Sequence, residues 1–233
     1  MTRLVSIFPE IDGLISGEMP EGYFLMLTGP PAIGKGIFVA QYMYQGLLQD
    51  ESAVYIVTDS PPSEVRRIMQ RLSWNTGGYE EKGKLRFIDC YSWRSGGPFE
   101  EKYYISDPTN LTDVMIVIDR TLRGIEPPVR MVLDSFSSIA GTSSTSTAIR
   151  FLQSLDGKIK KNEYTGIYTV EEGMHDGITV ATLRAQSDGI FEMKIEEKED
   201  GLHKYFRIFS VRGLVCSTRW IPWDITNKGI EFK

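Results

Sequence analysis

The chain predicts an α/β fold: a mostly parallel central sheet flanked by helices, with an antiparallel extension at its C-terminal end. Phe24-Leu-Met-Leu-Thr28 is a continuous apolar run, the pattern of a strand buried on both faces of a parallel sheet. Strand and helix patterns then alternate as far as about residue 185. Beyond Gly189 only strand patterns and turn signals remain.

Each element has its own signal. Gly29 to Gly34 interrupts the first strand. From Lys35 to Gln49, Ile37, Phe38, Val39, Tyr42, Met43, Leu47 and Leu48 cover much of a helix, and Asp50-Glu51 marks the turn after it. Ala53-Val-Tyr-Ile-Val57 reads as the next strand. Pro61-Pro62 opens a helix with Val65, Ile68, Met69 and Leu72 at helical spacing. Leu85–Ile88 and Val129–Leu133 are short strands, separated by a polar loop over Ser92–Pro108 and a helix over Leu111–Arg123. Gly124 and Pro127-Pro128 stop that helix. A helix over Ser146–Lys161 leads into the strand Gly166–Val170. Ile178–Leu183 stays open: its β-branched residues suggest a strand, its place in the chain a helix. Ile190–Ile195, Lys204–Phe209 and Trp220–Ile225 read as alternating antiparallel strands, with turns at Glu199-Asp200-Gly201 and Asn227-Lys228-Gly229. The expectation is a single domain over residues 1–233.

Composition narrows the function. A net charge of −5 lacks the global field of a dedicated nucleic-acid binder. Cys90 and Cys216 form no CxxC cluster, which argues against zinc and for a reducing compartment. Met1–Glu10 resembles neither a signal peptide nor a spanning helix, and no apolar run approaches the ~20 residues that a membrane crossing needs. A soluble, cytoplasmic protein is expected.

Gly29-Pro30-Pro31-Ala32-Ile33-Gly34-Lys35, running on through Gly36 and Ile37, has the Gly-x-x-x-x-Gly-Lys spacing of a phosphate-binding loop. A loop wrapped around phosphate must aim several backbone N–H groups inward, and glycine supplies the dihedrals and the close approach. A helix starting at Lys35 adds its positive end, and Lys35 supplies a charge for the β- and γ-phosphates. ATP, or ADP, is the expected ligand, with Mg²⁺. The residue after the lysine is usually Ser or Thr, whose hydroxyl ligates Mg²⁺; here it is Gly36, which weakens metal ligation.

Val129-Arg-Met-Val-Leu-Asp134 is a strand ending in an acid, the place from which P-loop proteins hold Mg²⁺ through water. Asp134 is therefore the expected metal and catalytic carboxylate. Asp59, after the second strand, is either a general base that orients water or a turn residue before Pro61-Pro62.

With these residues the chain resembles the KaiC-like ATPases of the RecA superfamily, in their archaeal-type single-domain form. The resemblance runs from the lead at Phe8–Gly22, ending Met19-Pro-Glu-Gly22, through the P-loop, Val54–Thr58 with Pro61-Pro62-Ser-Glu-Val65, and Lys82–Asp89. It continues through Leu133-Asp134-Ser135, Tyr205–Ile208, Val211-Arg-Gly213, Ile225-Thr226 and Gly229-Ile230. It implies a RecA-like core assembling into homo-oligomeric rings, often hexamers, with ATP between subunits. It also implies an acidic pair with a catalytic glutamate, which here reads Asp59-Ser60, and a Lys-x-Arg that reaches a neighbour's γ-phosphate, which here reads Ser210-Val211-Arg212. Arg212 would act in trans; the lysine is gone. Gly36, Asp59-Ser60 and Ser210 together imply weak or absent hydrolysis with binding retained.

Three functions compete on these residues: a regulatory or assembly ATPase with an unidentified protein partner, a recombinase paralogue binding single-stranded DNA, and a non-catalytic scaffold. The first is favoured over DNA binding because the loop Gly141–Thr147 has no Lys, Arg or aromatic residue. Trp220 and Trp223 read as packing of an edge strand, with adenine stacking as the alternative. His175 and His203 read as ordinary, Lys158, Lys160 and Lys161 as a solvated helix end, and Ser135, Ser137 and Ser138 as no nucleophile set.

Overall fold

The computed structural model describes residues 4–15, 19–96 and 98–233. Parts of the N-terminal segment, of the Phe8–Gly22 lead and of the polar loop, at 1–3, 16–18 and 97, lie outside the described residues. In chain order the elements are β1 (Leu4–Val5), α1 (Pro9–Asp12), β2 (Met19–Pro20), β3 (Phe24–Gly29), α2 (Lys35–Leu48), β4 (Ser52–Val57), α3 (Pro62–Arg71), α4 (Gly77–Glu81) and β5 (Leu85–Asp89). A 3-10 turn (Ser92–Ser95), α5 (Leu111–Leu122), β6 (Val129–Asp134), α6 (Phe136–Thr142), α7 (Thr145–Lys161), β7 (Thr165–Glu171) and α8 (Gly177–Gln186) follow. The chain closes with β8 (Gly189–Lys198), β9 (Gly201–Val211), β10 (Ile221–Thr226) and β11 (Gly229–Phe232).

Nine strands form one sheet in the order β11-β10-β9-β8-β3-β7-β6-β4-β5. From β5 to β8 neighbouring strands run parallel, and β9, β10 and β11 add an antiparallel edge. The α/β architecture with its antiparallel extension is as expected. The continuous apolar strands are explained by burial on both sides. Leu25 and Leu27 enter one core with α2, while Phe24 and Met26 enter the other with α5 and α7.

Two local readings change and one open reading is decided. Ile190–Ile195 belongs to β8, which runs parallel to β3 (Leu25 opposite Gly189) and antiparallel only to β9. A parallel neighbour needs a crossover, and α8 is that crossover, so Ile178–Leu183 is helix, started by Asp176 accepting from Thr179 N. Gly141–Thr147 is not one open loop: only Ser143 and Ser144 lie between two helices. Ser135 caps α6 by accepting from Ser138 N, Phe136 and Ile139 bury one helical turn apart, and Ser144 caps α7 two residues after α6 ends. β11 was not expected from the sequence. It pairs with β10 around the predicted turn, and Gln41 of α2 bonds Ile230 through both its N–H and its C=O (2.7 and 3.1 Å). No helix among the described residues is long and apolar enough to cross a membrane.

Candidate functional site

The C-terminal ends of β3, β7, β6 and β4 lie side by side in the sheet, and the candidate residues sit there. Parallel strands place their following loops on one edge, which is where ligands bind in open α/β sheets. β3 ends at Gly29. A Cβ there would meet the Met193 carbonyl of β8 at 2.8 Å, so the close approach of β8 requires glycine. Gly34 has φ +121, and a Cβ on it would touch Trp223 and Ile225 at 3.1 Å. Trp223 is therefore packed, as expected of it, but packed against Gly34 in the loop between β3 and α2. Ile33 is fully buried and anchors the loop from beneath. α2 begins at Lys35 with no side-chain cap and no acid in its first turn, which leaves its N–H groups available to an anion.

Lys35 is only 4% exposed. Its ammonium donates to Gly29 O (2.9 Å), Pro30 O (2.8 Å) and Glu171 Oε2 (2.9 Å). Glu171 ends β7 opposite Gly29. It was not among the sequence candidates. The available signal was its position at the carboxyl end of a parallel strand.

Asp134 ends β6 and accepts from Tyr55 Oη (2.9 Å) and Thr169 Oγ1 (2.6 Å), on the strands either side. Burial pushes its pKa up to about 6. Thr169 pulls it down, nearby Asp59 pushes it up, and Tyr55 and Lys35 pull it down. A Cβ on Gly36 would lie 3.3 Å from Asp134 Oδ2, so the position that lacks a hydroxyl faces the carboxylate. One enclosed carboxylate beside that opening fits Mg²⁺ held by a single acid, waters and ligand phosphates. Asp59 is exposed and accepts from Thr58 Oγ1 (3.1 Å) and from Ser138 Oγ. Ser137 Oγ accepts from Glu171 N (2.9 Å) and lies 2.8 Å from His175 Nε2.

Arg212 is elsewhere. Its N–H bonds Asp188 O, and Asp188 N bonds Phe24 O, at the start of β3. Five residues of strand, roughly 16 Å at the usual rise, separate that end from Gly29. Its guanidinium pairs with buried Asp188 at 3.1 Å. Arg212 therefore lies at the other end of β3 from the Gly29–Lys35 loop of its own chain; Ser210 is exposed beside it.

The raised carboxyl of Asp134 has a stability consequence. The folded state binds the proton more tightly than the unfolded state, so stability falls as pH rises from about 4 to about 6. The cost is fully present above that window, at most roughly 3 kcal/mol for a shift from 3.8 to about 6. The partly exposed edge of the residue reduces it. Without metal or nucleotide, Asp134→Asn is expected to melt at a higher temperature than wild type at pH 7.5. The advantage should vanish near pH 4. Melts in chelator at both pH values check this, and a variant less stable at pH 7.5 contradicts it.

The family model described as ATPase: KaiC matches residues 5–233. A UPF0273 protein of Methanopyrus kandleri is 29% identical over 98% of this chain and 91% of its own length. A UPF0273 protein of Pyrococcus horikoshii is 29% identical over 99% of this chain and 94% of its own. The crystal structure of a KaiC-like protein from Pyrococcus horikoshii superposes with a TM-score of 0.80 at 26% identity, covering 100% of both chains.

Proposed function

The chain belongs to the KaiC family of ATPases, and from that premise we propose that it binds ATP at Gly29–Ile37, hydrolyses it slowly or not at all, and acts as a regulatory or assembly factor. The observation that carries this reading is the pair formed by Lys35, seated in the loop, and Asp134, facing Gly36. The uncapped N–H groups of α2 and the ammonium of Lys35 would neutralise the phosphates. Asp134 would hold Mg²⁺, which would offset the negative charge of the nucleotide's phosphates.

The remaining positions support slow turnover. Gly36 offers no side-chain oxygen toward Asp134. Asp59 already accepts two side-chain hydroxyls, and Ser60 accepts no proton at neutral pH. Arg212 would reach only a neighbour's nucleotide, so the reading includes self-association, with a hexameric ring as the form the family resemblance implies. Light scattering showing only monomer at micromolar concentration, with and without ATP, contradicts the ring. Residues 141–147 carry no cation or aromatic group, and nothing in their helical arrangement favours single-stranded DNA.

Turnover is expected well below the ~1 per second at the low end of ordinary enzymes, with ATP binding retained. One lost electrostatic stabiliser typically costs about a hundred-fold or more, and groups acting together do not add simply. Gly36→Thr combined with Asp59→Glu, Ser60→Glu and Ser210→Lys should raise the rate. Phosphate release and calorimetry run together, with and without Mg²⁺, test this. Rapid wild-type turnover that Lys35→Ala abolishes would overturn it.

A further inference from the structure

Lys35 has three N–H donors, and three acceptors take them. Two are carbonyls of its own loop. The third, Glu171 Oε2, carries the only charge among them. The ammonium is neutralised within the chain, at 4% exposure.

Glu171 is not delivered by a loose loop. It is the last residue of β7, in register with Gly29. Its N–H is held by Ser137 Oγ at 2.9 Å, and the next residue, Glu172, donates its N–H to Gly29 O at 3.0 Å. The backbone on both sides of the carboxylate is thus tied to α6 and to the phosphate loop. The carboxylate itself keeps 19% exposure, which leaves it a path toward water.

In a loop of this kind the lysine reaches the β- and γ-phosphates, while the backbone N–H groups cradle the inner phosphates. The β-phosphate has these N–H groups and the helix N-terminus to hold it. The γ-phosphate depends much more on the lysine. Resting on the ATP-binding reading above, we propose that Glu171 is a resident competitor for the γ-phosphate that biases the site toward nucleoside diphosphate. A triphosphate must displace the carboxylate from Lys35 or sit beside a like charge. A diphosphate brings only the β-phosphate, which the backbone cradle already holds, and so disturbs the ion pair less. The bias is a property of one residue at the end of one strand, separate from the groups that govern the rate.

Glu171→Gln keeps an oxygen that accepts from Lys35 and removes the charge. A charge-assisted hydrogen bond is about twice as strong as a neutral one. The affinity for a non-hydrolysable ATP analogue should therefore rise about tenfold or more, and that for ADP by less than about threefold. Glu171→Ala, which removes both charge and acceptor, should shift the ratio in the same direction, so the test survives if one variant does not fold. Glu172→Gln, one residue on and exposed, should leave the ratio unchanged. Calorimetry with both nucleotides on all four proteins reads the result. Equal gains for both nucleotides would reduce Glu171 to a general field effect and overturn the proposal, as would no change at all. Failure of wild type and variants alike to bind either nucleotide is a different pattern and removes the nucleotide reading itself.

Discussion

Lys35→Ala is expected to weaken ATP binding by at least about a hundred-fold while the fold persists. An ion-paired hydrogen bond to a charged group contributes about 1.5–3 kcal/mol net, and Lys35 would make two such contacts, to the β- and γ-phosphates. Even the lower total, about 3 kcal/mol, exceeds a hundred-fold in affinity. The fold should tolerate the change. Position 35 opens α2, where alanine is the best helix former. The partner it abandons, Glu171, keeps enough exposure to hydrate. Calorimetry on a variant whose melt still shows cooperative unfolding is the measurement. Unchanged affinity in a folded variant would remove Lys35 from the site.

The largest stability effect is expected at the far end of the same helix. Arg130 on β6 and Glu51, three residues past α2, are 1% and 2% exposed and bonded through Nε and Oε2. Arg130 also donates to Tyr42 O of α2 at 2.9 Å, and its guanidinium lies 4.6 Å from the Tyr42 ring centroid. The pair therefore ties α2, which begins at Lys35, to the strand that ends in Asp134. Gly46 makes room for it: a Cβ there would come within 2.3 Å of Arg130 Nε. Removing one partner strands a charge in the core. Glu51→Ala should cost about 3–5 kcal/mol, or roughly 6–20 °C in Tm for a chain of this size. Burying the pair was itself costly. Arg130→Met with Glu51→Leu should therefore recover most of the loss, because two apolar chains leave no charge unmet. Denaturant unfolding of wild type, single and double variants decides this. A double variant as unstable as the single one would mean that shape, not charge, governs the site.

Arg130 carries no signal in the sequence, and Glu51 reads there only as part of the turn after α2, although both stand in segments that the sequence places correctly; in the structure the turn falls on Gln49 and Asp50 and Glu51 follows it. The same division runs through the candidate site. Gly29, Gly34, Lys35 and Gly36 declared themselves by spacing, and Asp134 by ending an apolar strand. Trp223 was expected to pack at an edge, but the partner it packs against, Gly34, was not expected.

The sequence by itself determined the features that depend on neighbours a few residues apart. These include strands by continuous apolar runs, most helices by their period, the Gly-x-x-x-x-Gly-Lys spacing of Gly29–Lys35, and the absent hydroxyl at Gly36. Tertiary structure alone decided what depends on which strands become neighbours. β3 lies between β7 and β8, although four strands, β4 to β7, separate it from β8 in sequence. That order brings Glu171 to Lys35 across 136 residues, Thr169 and Tyr55 to Asp134, and the β10–β11 hairpin onto Gly34. It also carries Arg212 to the opposite end of β3. Apolar periodicity states how each strand is buried but not which strand it lies beside. That choice is made by packing over the whole chain, and the charges at strand ends meet only after it is made.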